Sequence, residues 1–356
     1  MAEHVAALLP AVRSDLALDN RQSPSPGPGE ILIRNHVIAV NPIDWKRQAS
    51  GFMISSYPVV LGADVCGVVA EAGSSVTAFK SGDRVLAVAH SFCSGNNDHG
   101  AFQEYTVVKA TATVALPREM SFQQGATLPT AAGTATMALF DVLDLPQVTT
   151  GETIHASQVG GTANSSESSP LGILVWGGAS TVGFLTIQLA RLAGLTIYAA
   201  ASEHHHDHLR SVGASMLVDY HSPTAVDDLL AGAERAGSQI ALAVDAISTA
   251  ETLASVVQVL SKSTAVTKKL AHTSPWPKSV PHPEGIETGA IRGDDFSHRR
   301  EDLSIWLCNL SLPKWLAEGV IIPPAYRVID GGLGGLQNAL NELKKGVSGE
   351  KLLVEV

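Results

Sequence analysis

The pattern of apolar and polar residues divides the chain into regions with different periodicities. Up to about residue 130, short apolar runs typical of β-strands recur between Gly, Pro, Asn and Asp, which predicts a β-rich domain. From residue 171 to about 265, strand-like runs alternate with helix-like runs, which predicts a doubly wound parallel sheet. The tail predicts one helix and one closing strand. The expected fold class is therefore α/β, with a β-rich domain and a domain built on a doubly wound parallel sheet.

Some segments depart from these two periodicities. Residues 126–143 are Ala-rich and have helical spacing. Residues 156–170 are rich in Ser and Gly, and we expect a flexible surface loop there. Residues 264–268 could form a further strand of the parallel sheet, whereas the stretch 266–300 has no clear period and is expected to be irregular.

The first strand of the alternating region ends in a glycine turn, GGASTVG, which is followed by a helical pattern. This arrangement binds a pyrophosphate, because N–H groups at the helix start point outwards and the helix dipole favours negative charge. The pattern departs from GxGxxG, and we expect the hydroxyls of Ser180 and Thr181 to donate to phosphate oxygens. Gly183 would let the helix pack closely against the strand. A βα turn without a ligand is the alternative. The predicted cofactor contacts are Gly177, Gly178, Ala179, Ser180, Thr181, Val182 and Gly183.

The end of the second strand indicates which dinucleotide is bound. An Asp or Glu there would hold the ribose 2′-hydroxyl of NAD. This strand instead closes with Ser202, and His205 and Arg210 lie nearby. Hydroxyl and cationic groups suit a 2′-phosphate, so the sequence favours NADPH. The run HHHDH at 204–208 could also form a metal site, but we interpret it as the solvated start of a helix.

Composition and charge narrow the function classes. A hydrophobic content of 45% with 16% charged residues is typical of a globular protein, and 356 residues are enough for two domains. The net charge of −10 argues against nucleic acid or an anionic membrane as a general partner. The 3 cysteines are far apart, so no disulfide framework is expected. With no signal peptide and no apolar run of membrane-spanning length, the expected location is cytoplasmic.

Three motifs together resemble the medium-chain dehydrogenase/reductase superfamily. They are VVLGADVCGVVAEAGSSVTAFKSGDRV (59–85), GGASTVG (177–183) and GEKLLVEV (349–356). The resemblance implies a GroES-like, β-rich catalytic domain and a Rossmann domain that binds NADP(H). The implied catalytic domain is discontinuous, because the C-terminal segment returns to complete it. Its implied bounds are 1–134 and 306–356, and those of the Rossmann domain are 135–305.

Zinc ligands of this superfamily are replaced in the chain. Zinc-dependent members carry a Cys near the first motif and Gly-His-Glu in the second, whereas residues 41–46 are NPIDWK and residues 62–64 are Gly-Ala-Asp. His90, Cys93 and His99 are close in sequence, but their loop is rich in Gly and Asn, so we expect no metal. Without a Lewis acid to stabilise an alkoxide, reduction of a C=C bond conjugated to a carbonyl is favoured over alcohol dehydrogenation.

Within the superfamily, the chain resembles the fungal trans-acting enoyl reductases. The motifs that carry this resemblance are NPIDWK (41–46), GGASTVG (177–183), SEHH (202–205), VDY (218–220) and KKGVSGEKLLVEV (344–356). The resemblance implies NADPH, with the 2′-phosphate near Ser202 and Tyr220. Further implied cofactor contacts are Ile43, Asp44, Trp45, Lys46, His205, Val347 and Ser348. The implied substrate contacts are Thr130, Gly133, Thr136 and Met137.

The implied reaction is hydride transfer from NADPH to the β-carbon of an α,β-unsaturated carbonyl, followed by protonation of the α-carbon. Lys46 is predicted to stabilise the enolate or to supply the proton. Asp44 is predicted to orient Lys46 or to cap the following helix. Thr134 is predicted to hydrogen-bond the nicotinamide carboxamide. A solvated surface lysine and a helix-packing threonine are the alternative interpretations of Lys46 and Thr134.

The substrate and its partner follow only from the resemblance. It implies an enoyl compound, free or tethered to a carrier protein, in fungal polyketide-type secondary metabolism, with a polyketide synthase as partner and a monomeric enzyme. Carrier domains are usually acidic, as this chain is, so docking would require a local basic patch. A quinone or 2-alkenal reductase acting on free small molecules is an alternative. Two further alternatives are a redox-neutral reaction and nucleotide binding without turnover.

Overall fold

The computed structural model describes residues 3–147, 171–293 and 296–356, so the predicted loop at 156–170 lies outside the described residues. The chain forms two compact units, one of residues 1–133 and 294–356 and the other of residues 134–293. The first is rich in antiparallel strands and the second contains a parallel sheet. The predicted fold class is confirmed.

The first unit begins with short strands that form two sheets. The strands are β1 (Glu3–Leu9), β2 (Ala17–Gln22), β3 (Glu30–Ala39), β4 (Val59–Val60), β5 (Asp64–Ala72), β6 (Arg84–Val88), β7 (Tyr105–Lys109) and β8 (Thr113–Ala115). The helices are α1 (Pro42–Ser50), α2 (Ser91–Ser94), α3 (Phe122–Ala126) and α4 (Pro129–Met137), and α4 continues into the second unit. The smaller sheet has the order β2-β1-β4. Buried apolar side chains of β1, β3 and β5 form the core of this unit.

The second unit is a parallel sheet whose strands are connected by helices. Its strands are β9 (Leu171–Trp176), β10 (Thr196–Ala200), β11 (Met216–Val218), β12 (Gln239–Asp245), β13 (Lys269–His272) and β14 (Glu287–Ala290). Its helices are α5 (Thr181–Leu192), α6 (His206–Ser211), α7 (Ala225–Arg235) and α8 (Ala250–Lys262). The strand order is β11-β10-β9-β12-β13-β14, which is the order of dinucleotide-binding folds. In such folds, ligands bind at the carboxyl ends of the two strands where the order reverses, here β9 and β12.

The chain then returns to the first unit. This segment contains α9 (Glu301–Ile305), α10 (Leu312–Ala317), β15 (Ala325–Val328), α11 (Leu336–Lys345) and β16 (Glu350–Glu355). Strand β16 lies between β15 and β3 and completes a sheet of order β15-β16-β3-β5-β6-β8, in which β7 also pairs with β3. The first unit resumes at residue 294, and the domain bounds given from the sequence stay a prediction. Two hydrogen bonds join the start of this segment to the first unit: Ser304 Oγ donates to the Thr111 carbonyl oxygen at 2.8 Å, and Lys109 Nζ donates to the Ser297 carbonyl oxygen at 2.7 Å.

The segment 266–300 is more regular than its sequence predicted. The further strand expected at 264–268 lies at Lys269–His272, and β14 was missed entirely. The sequence of β14, ETGA, neither alternates nor forms an apolar run, so its parallel pairing with β13 determines its structure. None of the helices in the described part of the chain combines the length and apolar character needed to cross a bilayer.

Candidate active site

The glycine turn of the second unit lies where β9 ends, at the strand reversal. Gly177 has φ +79°, the left-handed region that favours glycine. The amides of Gly177 and Gly178 both donate to the Ala200 carbonyl oxygen of the neighbouring strand, at 3.1 and 3.0 Å. A Cβ at Gly177 would lie 2.5 Å from Ile247 Cγ1. The turn is therefore held close to the sheet, and a side chain at Gly177 would not fit.

Ser180 begins helix α5 and closes the turn. Its hydroxyl accepts from the Gly183 amide at 3.0 Å and donates to the Gly177 carbonyl oxygen at 2.8 Å. Its bond to a phosphate stays a prediction, and in the structure the hydroxyl donates within the turn. Helical geometry leaves the first backbone N–H groups of a helix, here from Thr181 onwards, without intrahelical acceptors. The amides of the helix start are therefore the groups that fit a pyrophosphate.

Gly183 lies where the start of α5 packs directly against the glycine turn, since a Cβ there would lie 2.2 Å from the Gly177 carbonyl oxygen. Gly183→Ala is expected to push the helix start away from the turn and to weaken binding of a nicotinamide dinucleotide at least ~10-fold, about 1.4 kcal/mol. Fluorescence titrations with NADH and with NADPH measure this. Gly293→Ala is the matched control, because nothing lies within 4 Å of its Cβ position. An equal effect of both substitutions would contradict the close-packing argument.

Two residues predicted to bind the 2′-phosphate meet in the structure. Ser202 follows strand β10, and its hydroxyl donates to the Tyr220 hydroxyl at 3.2 Å. Tyr220 is 45% exposed, so this hydroxyl pair is accessible. His205 follows closely, and burial and then the neighbouring histidines lower its pKa. Arg210, which the sequence also placed near this end, pairs with Asp207 at 2.8 Å.

A buried carboxylate at the end of β12 was missed in the sequence. Asp245 is fully buried, and its Oδ1 accepts from the amides of Ile247 and Ser248, both at 2.9 Å. Its Oδ2 accepts from the Thr252 hydroxyl at 2.7 Å, and burial raises its pKa. The turn it forms sets Ile247 against Gly177. The available signal was DAIST, an Asp at a strand end followed by residues that favour such turns.

In the first unit, Asp44 caps the helix that carries Lys46. Asp44 Oδ2 accepts from the Asn41 amide at 2.8 Å, and Oδ1 accepts from the Gly62 amide at 3.2 Å. The side chain is 1% exposed, and burial raises its pKa to about 7. Of the two roles predicted for Asp44, the geometry shows capping, because both carboxylate oxygens accept from backbone amides.

Lys46 lies on the exposed face of α1. Its Nζ is 5.9 Å from the centre of the Trp45 ring, and desolvation lowers its pKa. Trp45 is half-buried and packs against the core of the first unit, and Ile43 is also half-buried.

A second carboxylate in this unit, Asp64, was not predicted. Its Oδ2 accepts from the Asn41 side-chain amide and from Lys351 Nζ, both at 2.9 Å. Its Oδ1 accepts from the Thr130 amide at 2.7 Å. The signals in the sequence were an aspartate at the position of a zinc-motif glutamate and one lysine in the closing strand KLLVEV.

The residues predicted to contact substrate all lie on helix α4. Thr130 is half-buried in the first unit, and a Cβ on Gly133 would lie 3.3 Å from the Phe296 ring. Thr136 and Met137 belong to the second unit and are completely buried. The predicted carboxamide contact, Thr134, is half-buried.

The turn predicted near the nicotinamide side lies between α11 and β16. Val347 packs against the core of the first unit, while Ser348 is exposed.

The histidines near β6 do not form a metal centre. The ring centroids of His90 and His99 are 4.7 Å apart, and His298 stands edge-on to His90 at 5.7 Å. Across the described residues, no group of three or more His, Cys, Asp or Glu side chains has an arrangement that could hold a metal ion.

Similarity to known proteins covers the chain from end to end. Residues 27–118 match the family described as the alcohol dehydrogenase GroES-like domain. The chain is 34% identical over 366 residues to the trans-enoyl reductase tndF of Aspergillus flavipes, covering 99% of both chains. The chain belongs to the medium-chain dehydrogenase/reductase superfamily. The chain is also similar to the dehydrogenase orsE of Emericella nidulans, with 32% identity over 361 residues and coverage of 100% of both chains.

A solved structure shows the same fold for this dehydrogenase/reductase. An alcohol dehydrogenase superfamily protein from Novosphingobium aromaticivorans aligns with a TM-score of 0.78 at 20% identity, over 99% of each chain. The resemblance inferred from the sequence motifs is confirmed, and the protein is an oxidoreductase that uses a nicotinamide cofactor. The glycine turn fits such a cofactor, since a Cβ at Gly183 would clash with the turn that the cofactor's phosphates require, and a Cβ at Gly177 would clash with Ile247 beside it.

Proposed function

We propose that this oxidoreductase uses NADPH to reduce a C=C bond conjugated to a carbonyl, as a trans-acting enoyl reductase in fungal polyketide-type secondary metabolism. The observation that carries the proposal is the similarity to a trans-enoyl reductase over 99% of both chains. The proposed substrate is an enoyl compound, free or tethered to a carrier domain, and the proposed partner is a polyketide synthase. The enzyme is proposed to act as a cytoplasmic monomer.

The preference for NADPH is supported by the end of strand β10. No carboxylate closes this strand, and the exposed Ser202–Tyr220 hydroxyl pair follows it. Hydroxyls can donate to a phosphate, whereas an acidic residue at this place would repel it. His205 adds an imidazole to the same turn.

The residues of the chain then have separate proposed tasks. The bound nicotinamide supplies the hydride, which is the chemistry of the cofactor itself. The ammonium group of Lys46 is proposed to stabilise negative charge on the carbonyl oxygen or to protonate the α-carbon. Asp44 holds the first turn of α1, on which Lys46 lies. Thr134 is proposed to hydrogen-bond the carboxamide.

The 2′-phosphate assignment gives a coenzyme prediction. The double substitution Ser202→Ala/Tyr220→Phe is expected to raise the KM for NADPH at least ~10²-fold and to leave the KM for NADH unchanged, because each hydrogen bond to a charged group is worth about 1.5–3 kcal/mol. Initial rates with both coenzymes measure this. The control is Tyr326→Phe, which removes the hydroxyl of an exposed tyrosine on β15. A parallel rise in both KM values would refute the assignment.

The reaction is tested by anaerobic NADPH consumption with three acceptors: a 2-enoyl pantetheine thioester, a free 2-alkenal and a quinone. Thioester reduction at the highest kcat/KM supports the enoyl reductase. A preference for the alkenal or the quinone would replace it by a reductase of free small molecules. Tight NADPH binding without consumption would instead indicate a redox-neutral reaction or a binding role.

A further inference from the structure

A buried ion pair in the first unit joins segments that are distant in sequence. Asp64 is completely buried and Lys351 is 4% exposed, and their charged atoms are 2.9 Å apart. Lys351 also donates to the Asn41 side-chain oxygen, across 310 positions of the chain. Asn41 in turn donates to Asp64, so the three side chains form a closed triangle of hydrogen bonds.

The position of Asp64 connects two helix starts. Through Asn41, it holds the residue that precedes α1, the helix of Lys46. Through its other oxygen, it accepts from the Thr130 amide at 2.7 Å, in the first turn of α4. Pro129 precedes Thr130 and has no N–H, so the Thr130 amide is the first donor of this helix. A carboxylate is favourable at a helix start because of the helix dipole.

Lys351 makes this arrangement possible. Burying an ionised carboxylate away from water costs free energy, unless a cation and hydrogen-bond donors compensate its charge. Asp64 has that compensation from Lys351 on β16, from Asn41 and from the Thr130 amide. An apolar pair of similar volume would often stabilise a protein at least as well as a buried ion pair. Stability alone therefore does not account for charged groups here, whereas their directional bonds fix both helix starts.

We propose that Asp64 and Lys351 are positioning residues for the reductase reaction, which fix the start of α1 and the start of α4 relative to each other. This inference rests on the proposed function, since Lys46 and Thr130 are its proposed catalytic and substrate residues. Neither Asp64 nor Lys351 needs to touch the substrate. Loss of either shifts the two helices, and a displacement near 1 Å can cost ~10²-fold in rate.

The test compares Asp64→Asn, Lys351→Met and the double variant. We expect each single variant to lose ~10²-fold in kcat for the preferred acceptor. The Kd for NADPH should stay within about twofold, because the glycine turn lies in the other unit. The double variant removes both charges, so it should regain much of the unfolding midpoint but not kcat, since one carboxylate acceptor and the bonds from Lys351 are still missing. Arg327→Met, which removes an exposed cation that pairs with Glu350, is the matched control and should keep its kcat.

Two outcomes would overturn the inference: a folded single variant with kcat within twofold of wild type, or a double variant that regains kcat together with the unfolding midpoint. Failure of the proposed function itself is recognised separately, as wild-type enzyme that reduces no acceptor. Amide hydrogen exchange then shows whether the two helix starts are less well held in the variants. Faster exchange of the peptides covering both helix starts, 41–51 and 129–137, in each single variant supports the inference. Exchange that changes in neither peptide refutes it.

Discussion

Replacing Lys351 by methionine is expected to lower the free energy of unfolding by about 3–5 kcal/mol. The substitution leaves the completely buried Asp64 carboxylate without its cation, at a place where water does not reach it. The hydrogen bonds from Asn41 and Thr130 remain, but neutral donors do not balance the charge. Urea unfolding at pH 7, followed by circular dichroism, measures the loss.

Two comparisons make this prediction specific to the buried charge. Lys351→Met combined with Asp64→Asn removes both charges and is expected to recover most of the lost stability. Arg327→Met breaks two surface ion pairs, with Glu342 and Glu350, whose arginine is 42% exposed, so it is expected to cost at most about 1 kcal/mol. The prediction fails if Lys351→Met is no more destabilising than Arg327→Met.

His90 is expected to make the protein sensitive to acid. Burial and then the neighbouring His99 lower the pKa of His90 to about 3, below its ordinary value of 6.5. In the unfolded chain the imidazole takes up a proton near pH 6.5, whereas in the folded chain it does so only near pH 3. Its contribution is therefore complete above pH 6.5 and is lost as the pH falls towards 3. The loss is about 1.4 kcal/mol per pH unit, or about 5 kcal/mol in all.

The variant His90→Gln isolates this contribution. Its free energy of unfolding, relative to wild type, should rise by about 1.4 kcal/mol for each pH unit below 6. The comparison with wild type matters because Asp44, with a pKa raised to about 7, acts in the opposite sense. Its ionisation lowers stability as the pH rises from 3.8 to 7. The control His298→Gln keeps the buried imidazole and removes only a ring that contacts it. If the difference in the free energy of unfolding between His90→Gln and wild type did not change with pH, His90 would not be the origin of the acid sensitivity.

The sequence predicts well what depends on neighbours along the chain. The alternation of strands and helices identified the parallel sheet, because apolar periodicity reflects which faces are buried. The turn at Gly177 and the role of Gly183 followed from a short motif whose backbone geometry only glycine allows. Tyr220, which lies near Ser202 in the structure, came from the family resemblance and not from any spacing rule.

The features that the sequence did not predict depend on contacts between segments far apart in the chain. Asn41 and Lys351 are 310 positions apart, and nothing near either residue indicates the other. Strand β14 has no strand pattern of its own and forms because β13 offers a partner edge. The bond from the Ser180 hydroxyl to the Gly177 carbonyl oxygen was likewise not visible in the sequence.

The place of β16 in the sheet has a consequence for biosynthesis. Strand β3 pairs with β16, which the ribosome synthesises only after almost all of the other residues. Lys351, the ion-pair partner of Asp64, lies on β16 and is therefore also synthesised late. Residues 134–293 of the second unit can fold during translation, whereas the first unit keeps an open edge and an uncompensated Asp64 until the end. A nonsense codon shortly before residue 350 would thus release a chain with one unit complete and the other exposed to chaperones and proteases.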